Sequence, residues 1–414
     1  MAAAGVSSVW YPIARREETR RLHGERPGLR GLRGWLAALL LFSLTAGAGS
    51  APARGAAREA AAVGESFRPT VEEVRVETWV SGLEVPWSLV FLPDGRALVS
   101  ERPGRIRLIE NGVLRPEPWA VLDVRHRGEG GLMGLAVHPR FPEQPYVYAM
   151  MTVAVGGAVE NRVVRLRDLG LRGELDRIVV QGIPGGDLHN GGRIAFGPDG
   201  MLYVTTGEIF QGSRAQDLES LAGKVLRLTP DGGVPPDNPF VGRPGRDEIF
   251  TYGHRNPQGL AWHPETGQLF ASEHGPTGER GWRGHDEING LVPGANYGWP
   301  AVIGAPGDPR FVDPLIYWEA GLPPAGMTFW HGELFIATLR ANALVRLVVE
   351  RSGYAYRARR IERWFATGPA AGVYGRLRDA AVGPDGALYV LTSNRDGRGR
   401  PQPGDDRILR ITRR

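Results

Sequence analysis

The chain has 414 residues, of which 42% are hydrophobic, and a formal net charge of +5. Residues 1–60 contain nine arginines and four glutamates, so residues 61–414 are close to neutral and give no reason to expect nucleic-acid binding. The absence of cysteine excludes disulfides, thiolate nucleophiles and cysteine-ligated metals. The 59 glycines and 33 prolines are typical of a chain rich in turns, and no sustained helical periodicity follows residue 60, so we predict an all-β protein.

The N-terminal segment has the order of a secretory signal. Residues 35–48 form an apolar run that follows several arginines and precedes A-x-A patterns at 46–48 and 51–53. An uncleaved membrane anchor is the alternative, although the run is short for a membrane span. We therefore predict a leader over residues 1–53, a linker over residues 54–69, a periplasmic or secreted protein, and no stable membrane span after cleavage.

A glycine-marked turn followed by a short apolar strand recurs six times along the chain. The clearest copy, FGPDGMLYVTTG, lies near the middle of the sequence, and the copies start roughly 45 to 70 residues apart. They occupy residues 91–101, 138–150, 189–208, 263–273, 330–339 and 382–394. A repeat of this length and content indicates a β-propeller.

A second apolar strand follows most copies, as in GKVLRLTPDG (223–232) and DRILRITR (406–413). Arginine alternates with apolar residues in these segments, which predicts strands with one buried face. Six such units fill residues 70–414 as a six-bladed β-propeller. The lone strand VEEVRVETWV (71–80) precedes the first unit, and we expect it to complete the last blade so that the ring closes without a free edge.

His189 and Glu208 are two titratable residues at the two ends of one predicted hairpin, which we assign to the second blade. An imidazole at a strand entry can act as a base near neutral pH, and a neighbouring carboxylate would raise its basicity and fix its tautomer. The alternative is a structural hydrogen bond across the hairpin. The spacing alone favours this structural interpretation.

A second candidate site is YGHRNPQGLAW (252–262). Arg255 carries a permanent positive charge that can hold a carboxylate or a developing oxyanion, and Asn256 offers an amide donor and acceptor. The alternative is a turn in which Arg255 pairs with an acid and Asn-Pro begins the turn. The motif by itself leaves both interpretations open.

The motif SEHGP (272–276) offers backbone oxygens on a constrained loop. The carbonyls of Gly275 and Pro276 are hard donors that suit Ca²⁺, although such a Gly-Pro segment is usually only a loop. A short distance further, Asp286, Glu287 and Asn289 lie close together and could bind a cation. We favour a different interpretation of that segment, namely a charged turn before a buried aromatic pair.

Three further arginines are candidates for a ligand site. Arg340 follows an apolar strand, and Arg376 and Arg378 alternate at a strand entry, so the latter two should point the same way. Three guanidinium groups facing one pocket would suit a polyanionic ligand, whereas solvated surface charges are the alternative. A dinucleotide or phosphate-loop fingerprint is absent, which argues against a Rossmann-type nicotinamide dehydrogenase.

Taken in order, nine segments between Leu83 and Arg410 resemble the soluble quinoprotein glucose/sorbosone dehydrogenases, which include the aldose sugar dehydrogenases. They are GLEVPWSLVFLPDG, GGLMGLAVHPRF, HNGGRIAFGPDG, GKVLRLTPDG, GHRNPQGLAW, SEHGP, DEIN, NYGWP and RLRDAAVGPDG. Each motif is modest, but nine in the same order are specific. The resemblance implies a six-bladed propeller that holds pyrroloquinoline quinone (PQQ) and Ca²⁺ in a cleft on its top face.

The resemblance also assigns roles to individual residues. His189 would be the general base that takes the proton of the sugar's anomeric hydroxyl, and Glu208 stands where glucose-oxidising members have the supporting Asp. Arg255 and Asn256 would contact the quinone oxygens. Glu129 aligns, less firmly, with a polar residue of the pocket.

The remaining roles concern the cofactors. Gly275 and Pro276 would give their backbone carbonyls to Ca²⁺, and Arg376 and Arg378 would pair with the cofactor carboxylates. Arg340 stands where some members have Lys, which keeps the charge but changes the geometry.

The implied activity is oxidation of an aldose at its anomeric carbon to a lactone, with the hydride passing to PQQ and then to an unidentified electron acceptor. The spacer at residues 277–285 is long and is a departure that can reshape the cleft beside the calcium. Two alternatives stand on the same fold: a Ca²⁺-dependent lactonase-type hydrolase, which would not need the arginines, and a non-catalytic binding propeller.

Overall fold

The structure is a computed structural model that describes residues 58–353, 355–368 and 371–414. The predicted leader, residues 1–53, lies outside the described residues. The predicted linker is described from residue 58 onward. No helix within the described ranges has the length and apolar character needed to cross a membrane.

Short elements precede the first blade. A two-residue strand, β1, and one helical turn, α1, come first, followed by strands β2 and β3. Their bounds are β1 Arg58–Glu59, α1 Ala60–Val63, β2 Glu65–Arg68 and β3 Val74–Ser81. The segment expected to be a linker therefore carries two edge strands, since β1 and β2 pair in parallel with the outer strands of the fourth and fifth blades.

The first three blades are antiparallel sheets whose strands follow one another from the inside of the ring to its outside. Blade one contains β4 Pro86–Phe91, β5 Ala97–Glu101, β6 Arg105–Glu110 and β7 Val113–Val121. Blade two contains β8 Leu132–Val137, β9 Tyr146–Val155, β10 Ala158–Asp168 and β11 Gly173–Pro184. Blade three contains β12 Ile194–Phe196, β13 Leu202–Thr206, β14 Lys224–Leu228 and β15 Ile249–Tyr252, with a 3-10 helix at Gly212–Ala215.

The last three blades repeat this order. Blade four contains β16 Pro257–Trp262, β17 Leu269–Glu273, β18 Asp286–Gly290 and β19 Ile316–Trp318, with a 3-10 helix at Glu279–Gly281. Blade five contains β20 Pro324–Trp330, β21 Glu333–Thr338, β22 Leu344–Ser352 and β23 Ala355–Trp364. A two-stranded sheet, β24 Ala366–Gly368 and β25 Ala371–Gly372, leads to blade six, which contains β26 Leu377–Val382, β27 Leu388–Thr392 and β28 Arg407–Arg413.

Strand β3 is the outer strand of blade six, where it pairs antiparallel with β28. This pairing joins the strand before the first blade to the last strand of the chain and closes the ring. The prediction of a six-bladed propeller whose last blade is completed by an N-terminal strand is therefore confirmed.

The PDG repeat is the turn between the two inner strands of a blade. In blade three, the Asp199 side chain accepts a hydrogen bond from the Met201 backbone N–H at 3.1 Å, and Gly200 adopts a φ of +74°. Asp94 and Asp385 make the same 3.1 Å bond in blades one and six. The Asp side chain stabilises the turn by accepting a hydrogen bond from the backbone two residues later, and Gly tolerates the left-handed conformation. This local sequence therefore dictates the hairpin.

In blade three the strands β13 and β14 are buried on both faces, so the expectation of one buried face is wrong for β14, whereas β6 keeps an alternation of buried and half-buried residues. All five residues of β13 and all five of β14 are buried. The described core consists of six apolar clusters, each lying between two neighbouring blades. Leu202 of β13 packs toward blade two and the next residue, Tyr203, packs toward blade four. Every sheet of a closed ring has two neighbours, and therefore both of its faces are covered.

Two of the arginines that alternate along these strands, Arg227 and Arg165, are buried and paired. Arg227 of β14 donates to Asp199 at 3.0 Å and to Asp237 at 2.8 Å. Arg165 of β10 pairs with Asp176 and lies 4.0 Å above the ring of Tyr146. The guanidinium groups are thus tolerated between blades because carboxylates and aromatic faces satisfy them.

Candidate active site

A cleft of about 560 Å³ lies where the loops that enter the innermost strands meet. The loops before β8, β12, β16, β20 and β26 all contribute to its wall. Its charged and histidine side chains are Glu129, His189, Arg255, His274, Arg283, Asp286, Glu319, Arg340, Arg376 and Arg398. The volume falls within the range of small-molecule sites, and five arginines against three carboxylates make the wall cationic.

His189 lies on this wall in the turn before β12, which belongs to the third blade and not to the second. Its Nδ1 atom is hydrogen-bonded to Glu208, which follows β13 at the other end of the same hairpin. Both side chains are buried. With a carboxylate on Nδ1, the neutral imidazole carries its proton there, and Nε2 is the nitrogen left to accept a proton. The predicted hydrogen bond exists, and it lies at the edge of the cleft.

The backbone of His189 is held as firmly as its ring. Its φ is +54°, and its N–H donates to Glu129 Oε2 at 3.1 Å. The other oxygen of Glu129 accepts from Arg398 at 2.8 Å. Burial opposes the ionisation of Glu129, but interactions with His189 and Arg398 outweigh it and lower its pKa to about 2. Glu129 is therefore an anion that fixes the position of the histidine.

Arg255 also lines the cleft, and its guanidinium is already paired. Nε donates to Glu279 Oε1 at 2.9 Å, a second nitrogen bonds to the same oxygen, and Nη1 donates to the His274 carbonyl at 3.1 Å. Glu279 comes from the long spacer, residues 277–285, and its other oxygen accepts from the Thr277 N–H at 2.7 Å. The spacer therefore places a carboxylate on Arg255.

Asn256 does not line the cleft. It is fully buried, and its side-chain oxygen accepts a hydrogen bond from the Gly191 N–H at 2.9 Å. Its amide nitrogen lies 3.5 Å from Nδ1 of His274. Asn256 therefore lies beneath the cleft and ties the His189 turn to blade four.

The other predicted arginines separate into two groups. The expectation that Arg376 and Arg378 point the same way is wrong, because an irregularity in the β26–β27 pairing between Leu377 and Asp379 interrupts the alternation there. Arg340 and Arg376 line the cleft, and Arg376 is paired with Asp396 at 2.7 Å. Arg340 makes no hydrogen bond or ion pair that involves another described residue. Arg378 does not line the cleft but lies among the innermost strands, where it donates to Gln258 at 2.6 Å and its Nε atom has no partner among the described residues. Burial lowers the pKa of Arg378 to about 9.

Gly275 and Pro276 line the cleft, and their carbonyl oxygens accept no hydrogen bond from the described part of the chain. The Gly275 N–H donates to Asp286 at 2.9 Å. A Cβ atom on Gly275 would lie 1.9 Å from the Gly284 carbonyl, so only glycine fits there. Burial raises the pKa of Asp286 to about 6. No group of three or more His, Asp or Glu side chains among the described residues is arranged to hold a metal.

The segment expected to form a charged turn is instead a strand, β18. Pairing with both β17 and β19 directs its side chains alternately into two blade interfaces. Asn289 donates to Glu287 at 2.9 Å and to Glu273 at 3.2 Å. Burial and the neighbouring Glu273 raise the pKa of Glu287 well above its usual range. The predicted burial of Tyr297 and Trp299 agrees with the structure.

The residues of this region that sequence reasoning missed include Phe210, His274, Glu279 and Arg398. His274 lies within the quoted motif SEHGP, and its buried Nε2 atom has no partner in the described ranges. Burial lowers the pKa of His274 to about 3, so its ring is neutral. The others belong to loops without a repeat, and only their fold position reveals them.

Comparisons with known proteins agree with this architecture. The family model for glucose/sorbosone dehydrogenase matches residues 83–410. The chain is 33% identical over 360 residues to the aldose sugar dehydrogenase YliI of Escherichia coli, covering 78% of this chain and 91% of that protein.

Two solved structures are also similar. A putative oxidoreductase (glucose dehydrogenase) from Thermus thermophilus is 60% identical with a TM-score of 0.78, over 82% of this chain and 100% of that one. The PQQ-bound aldose sugar dehydrogenase of Streptomyces coelicolor is 39% identical with a TM-score of 0.72, over 82% and 98%. With its motifs in order, its six blades and a matched family model, the chain belongs to the glucose/sorbosone dehydrogenase family.

Proposed function

We propose that this protein is a PQQ- and Ca²⁺-dependent dehydrogenase that oxidises aldose sugars at the anomeric carbon to lactones. The observation that carries the proposal is the buried His189–Glu208 pair on the wall of a cleft lined by five arginines. A base and a cationic cavity for an acidic cofactor are the two parts that this reaction requires.

The residues of the cleft fit PQQ, which is a flat quinone bearing carboxylates. Arg340 is free of partners within the described residues, and Arg376 lies near it on the same wall. His274 lines the same cavity, and its Nε2 atom is buried without a partner from the described chain. Guanidinium groups suit carboxylates by charge and shape, and an orphaned buried nitrogen is satisfied by a ligand oxygen. We assign Arg340, Arg376, Arg255 and His274 to the cofactor.

Two residues that the resemblance assigns to direct contact with the cofactor receive a different role here. Asn256 and Arg378 do not line the cleft, so we give them supporting roles: Asn256 fixes the His189 turn, and Arg378 supplies positive charge from below. The carbonyls of Gly275 and Pro276 remain our assignment for Ca²⁺, because they line the cleft and are free of hydrogen bonds from described residues.

When bound, PQQ supplies a two-electron acceptor beside the sugar. His189 Nε2 accepts the proton of the anomeric hydroxyl, while Glu208 holds the Nδ1 proton and stabilises the imidazolium that forms. Loss of the C1 hydrogen with its electron pair then leaves a carbonyl at C1, which makes the cyclic sugar a lactone. The acceptor that takes the electrons away and the export of the protein remain predictions.

The two alternatives fit the cleft less well. A lactonase-type hydrolase has no need of arginines around its metal, whereas five line this cavity. A binding propeller has no need of a buried carboxylate that orients a histidine, and His189 has one.

The test is a dye-linked dehydrogenase assay on purified apoprotein with aldoses, with and without PQQ and Ca²⁺. The variant is His189→Asn, because Asn tolerates the positive φ of +54°. The matched control is His331→Asn, an exposed histidine in the β20–β21 turn with a φ of +51°.

We expect activity only with both cofactors, its loss in His189→Asn, and its retention in His331→Asn. Binding of PQQ without oxidation of any aldose would place the substrate outside this class. Failure to bind PQQ would overturn the proposal and favour a lactonase-type hydrolase or a non-catalytic binding propeller.

A further inference from the structure

Phe210 is a large apolar side chain that the fold leaves exposed at the edge of the cleft. It is 52% exposed and lines the cavity, and its ring centroid lies 4.8 Å from that of His189 at an interplanar angle of 34°. Burial of such a ring would stabilise the fold, so its exposure beside the proposed base is unexplained by packing.

The backbone that presents this ring is in an unfavourable conformation. Ile209 and Phe210 both adopt positive φ values, +53° and +63°, which β-branched and aromatic residues rarely do. Hydrogen bonds from Ile209 N–H to the His189 carbonyl at 3.2 Å and from Gln211 N–H to the Glu208 carbonyl at 2.9 Å hold the turn. Strain of this kind persists where neighbouring structure enforces it, and it is concentrated at functional sites.

We propose that Phe210 is the platform on which the ring of a cyclic aldose stacks, and that it makes the enzyme prefer pyranoses to open-chain substrates. This inference rests on the proposed function and names its substrate class more closely. The face of an aromatic ring is electron-rich, and the axial C–H groups of a pyranose form an apolar, slightly positive face. A sugar stacked on Phe210 would lie next to His189, the base that receives its anomeric proton.

The charged residues around Phe210 suit the edge of the same sugar. Glu129 and Arg398 form an ion pair on the same cleft wall, and both have hydrogen-bonding capacity beyond that pair. Hydroxyl groups project from the rim of a pyranose, while its faces are apolar. An aromatic platform with charged neighbours therefore matches the amphipathic shape of an aldopyranose and not that of a short acyclic aldehyde.

The test compares Phe210→Ala, Phe210→Tyr and wild type, each loaded with PQQ and Ca²⁺, on glucose and xylose and on acyclic glyceraldehyde. The matched control is Phe67→Ala, a 36% exposed phenylalanine on the edge strand β2. We expect Phe210→Ala to raise KM for both pyranoses about three- to tenfold, the size of an aromatic contact, with little change in kcat. KM for glyceraldehyde should stay unchanged, and Phe210→Tyr should restore the pyranose KM.

A role confined to supporting His189 gives a different result, since kcat would then fall equally for cyclic and acyclic substrates. That outcome would overturn the platform, as would an unchanged pyranose KM in Phe210→Ala.

A binding measurement separates this inference from the proposed function. Saturation-transfer NMR on the apoprotein with glucose reports contact of the sugar ring protons with the protein without any turnover. We expect a signal in wild type and Phe67→Ala that is lost in Phe210→Ala. If no aldose is oxidised but this pattern holds, the proposed function fails and the platform stands. The absence of a wild-type signal, or a signal equal in Phe210→Ala, overturns the platform.

Discussion

The Nδ1 atom of His189 and the carboxylate of Glu208 are hydrogen-bonded across the mouth of one hairpin, 19 residues apart in sequence. The pair combines two properties that sequence spacing leaves undecided. It is a structural bond, because both side chains are buried. It also leaves Nε2 of His189, a residue that lines the cleft, available to accept a proton. The carboxylate that orients the ring and the nitrogen that can accept a proton thus belong to the two ends of one hairpin.

Replacement of Glu208 by Gln should impair turnover without preventing substrate binding. Gln can still accept a hydrogen bond from Nδ1–H, but it has no charge to stabilise the imidazolium. We expect kcat to fall roughly 10²- to 10⁴-fold, as for other general-base systems, with little change in KM. Glu208→Asp keeps the charge and should retain most of the activity. Steady-state kinetics on an aldose decide the matter, and equal rates for Glu208→Gln and wild type would contradict the role of the carboxylate.

Glu279→Gln should have opposite effects on cofactor affinity and on stability of the apoprotein. Glu279 occupies the guanidinium of buried Arg255, so an acidic cofactor must compete with it. Without that carboxylate, PQQ should bind roughly tenfold more tightly, a difference of about 1.4 kcal/mol. The apoprotein should unfold more easily, because the buried Arg255 loses its charged partner.

Fluorescence titration with PQQ and chemical denaturation of the apoprotein measure the two effects. The control is Glu248→Gln, which breaks an ion pair with Arg246 on the surface and should leave PQQ affinity unchanged. Weaker PQQ binding in Glu279→Gln would mean that Glu279 positions Arg255 for the cofactor and does not compete with it.

Arg340→Ala should weaken PQQ binding while leaving stability unchanged. Arg340 is exposed and has no hydrogen-bond or ion-pair partner among the described residues, so its loss breaks no such contact in the apoprotein. A charge-assisted hydrogen bond is worth about 1.5–3 kcal/mol, so PQQ affinity should fall tenfold or more. Arg351→Ala, at an exposed position of β22, is the control. Unchanged affinity in Arg340→Ala would remove this residue from the cofactor site.

Lys224, the only lysine of the chain, should make stability depend on pH. It is fully buried, its ammonium donates to the carbonyls of Arg214, Ala215 and Ala222, and burial lowers its pKa to about 7 from 10.5. Between these values the unfolded chain binds more protons than the folded one. The free energy of unfolding contributed by Lys224 should therefore rise as pH increases from 7 toward 10.5, by up to a few kcal/mol.

Chemical denaturation of wild type and Lys224→Met at about pH 6.5, below the range in which the folded and unfolded chains differ in protonation, and at about pH 9.5, well inside it, tests this sign. Other titrations cancel in the difference between the two proteins, and that difference should grow at the higher pH. Parallel pH profiles would show that the three carbonyls keep the ammonium charged throughout.

Sequence patterns revealed the propeller because each blade is encoded locally. In the PDG turns, the Asp side chain bonds to a backbone N–H only two residues away and so determines the inner hairpin of its blade. The number of blades could therefore be predicted by counting copies of the repeat. The closing strand β3 was also predictable, because a lone strand before the first repeat can pair with the free edge of the last blade. The pattern misjudged the burial of β14: an arginine alternating with apolar residues suggests a solvated face, whereas Arg227 is buried between two blades and neutralised by carboxylates.

The sequence by itself therefore determined the repeat, the closure of the ring and the residue types near the cleft, because these depend on neighbours within a hairpin. Only the tertiary structure decided that Arg376 faces the cleft and Arg378 the interior, that Glu279 covers Arg255, and that Phe210 stands beside His189. Those relationships join loops from different blades or depend on backbone conformations that no periodicity records. Their positions are fixed only when all six blades close around one axis.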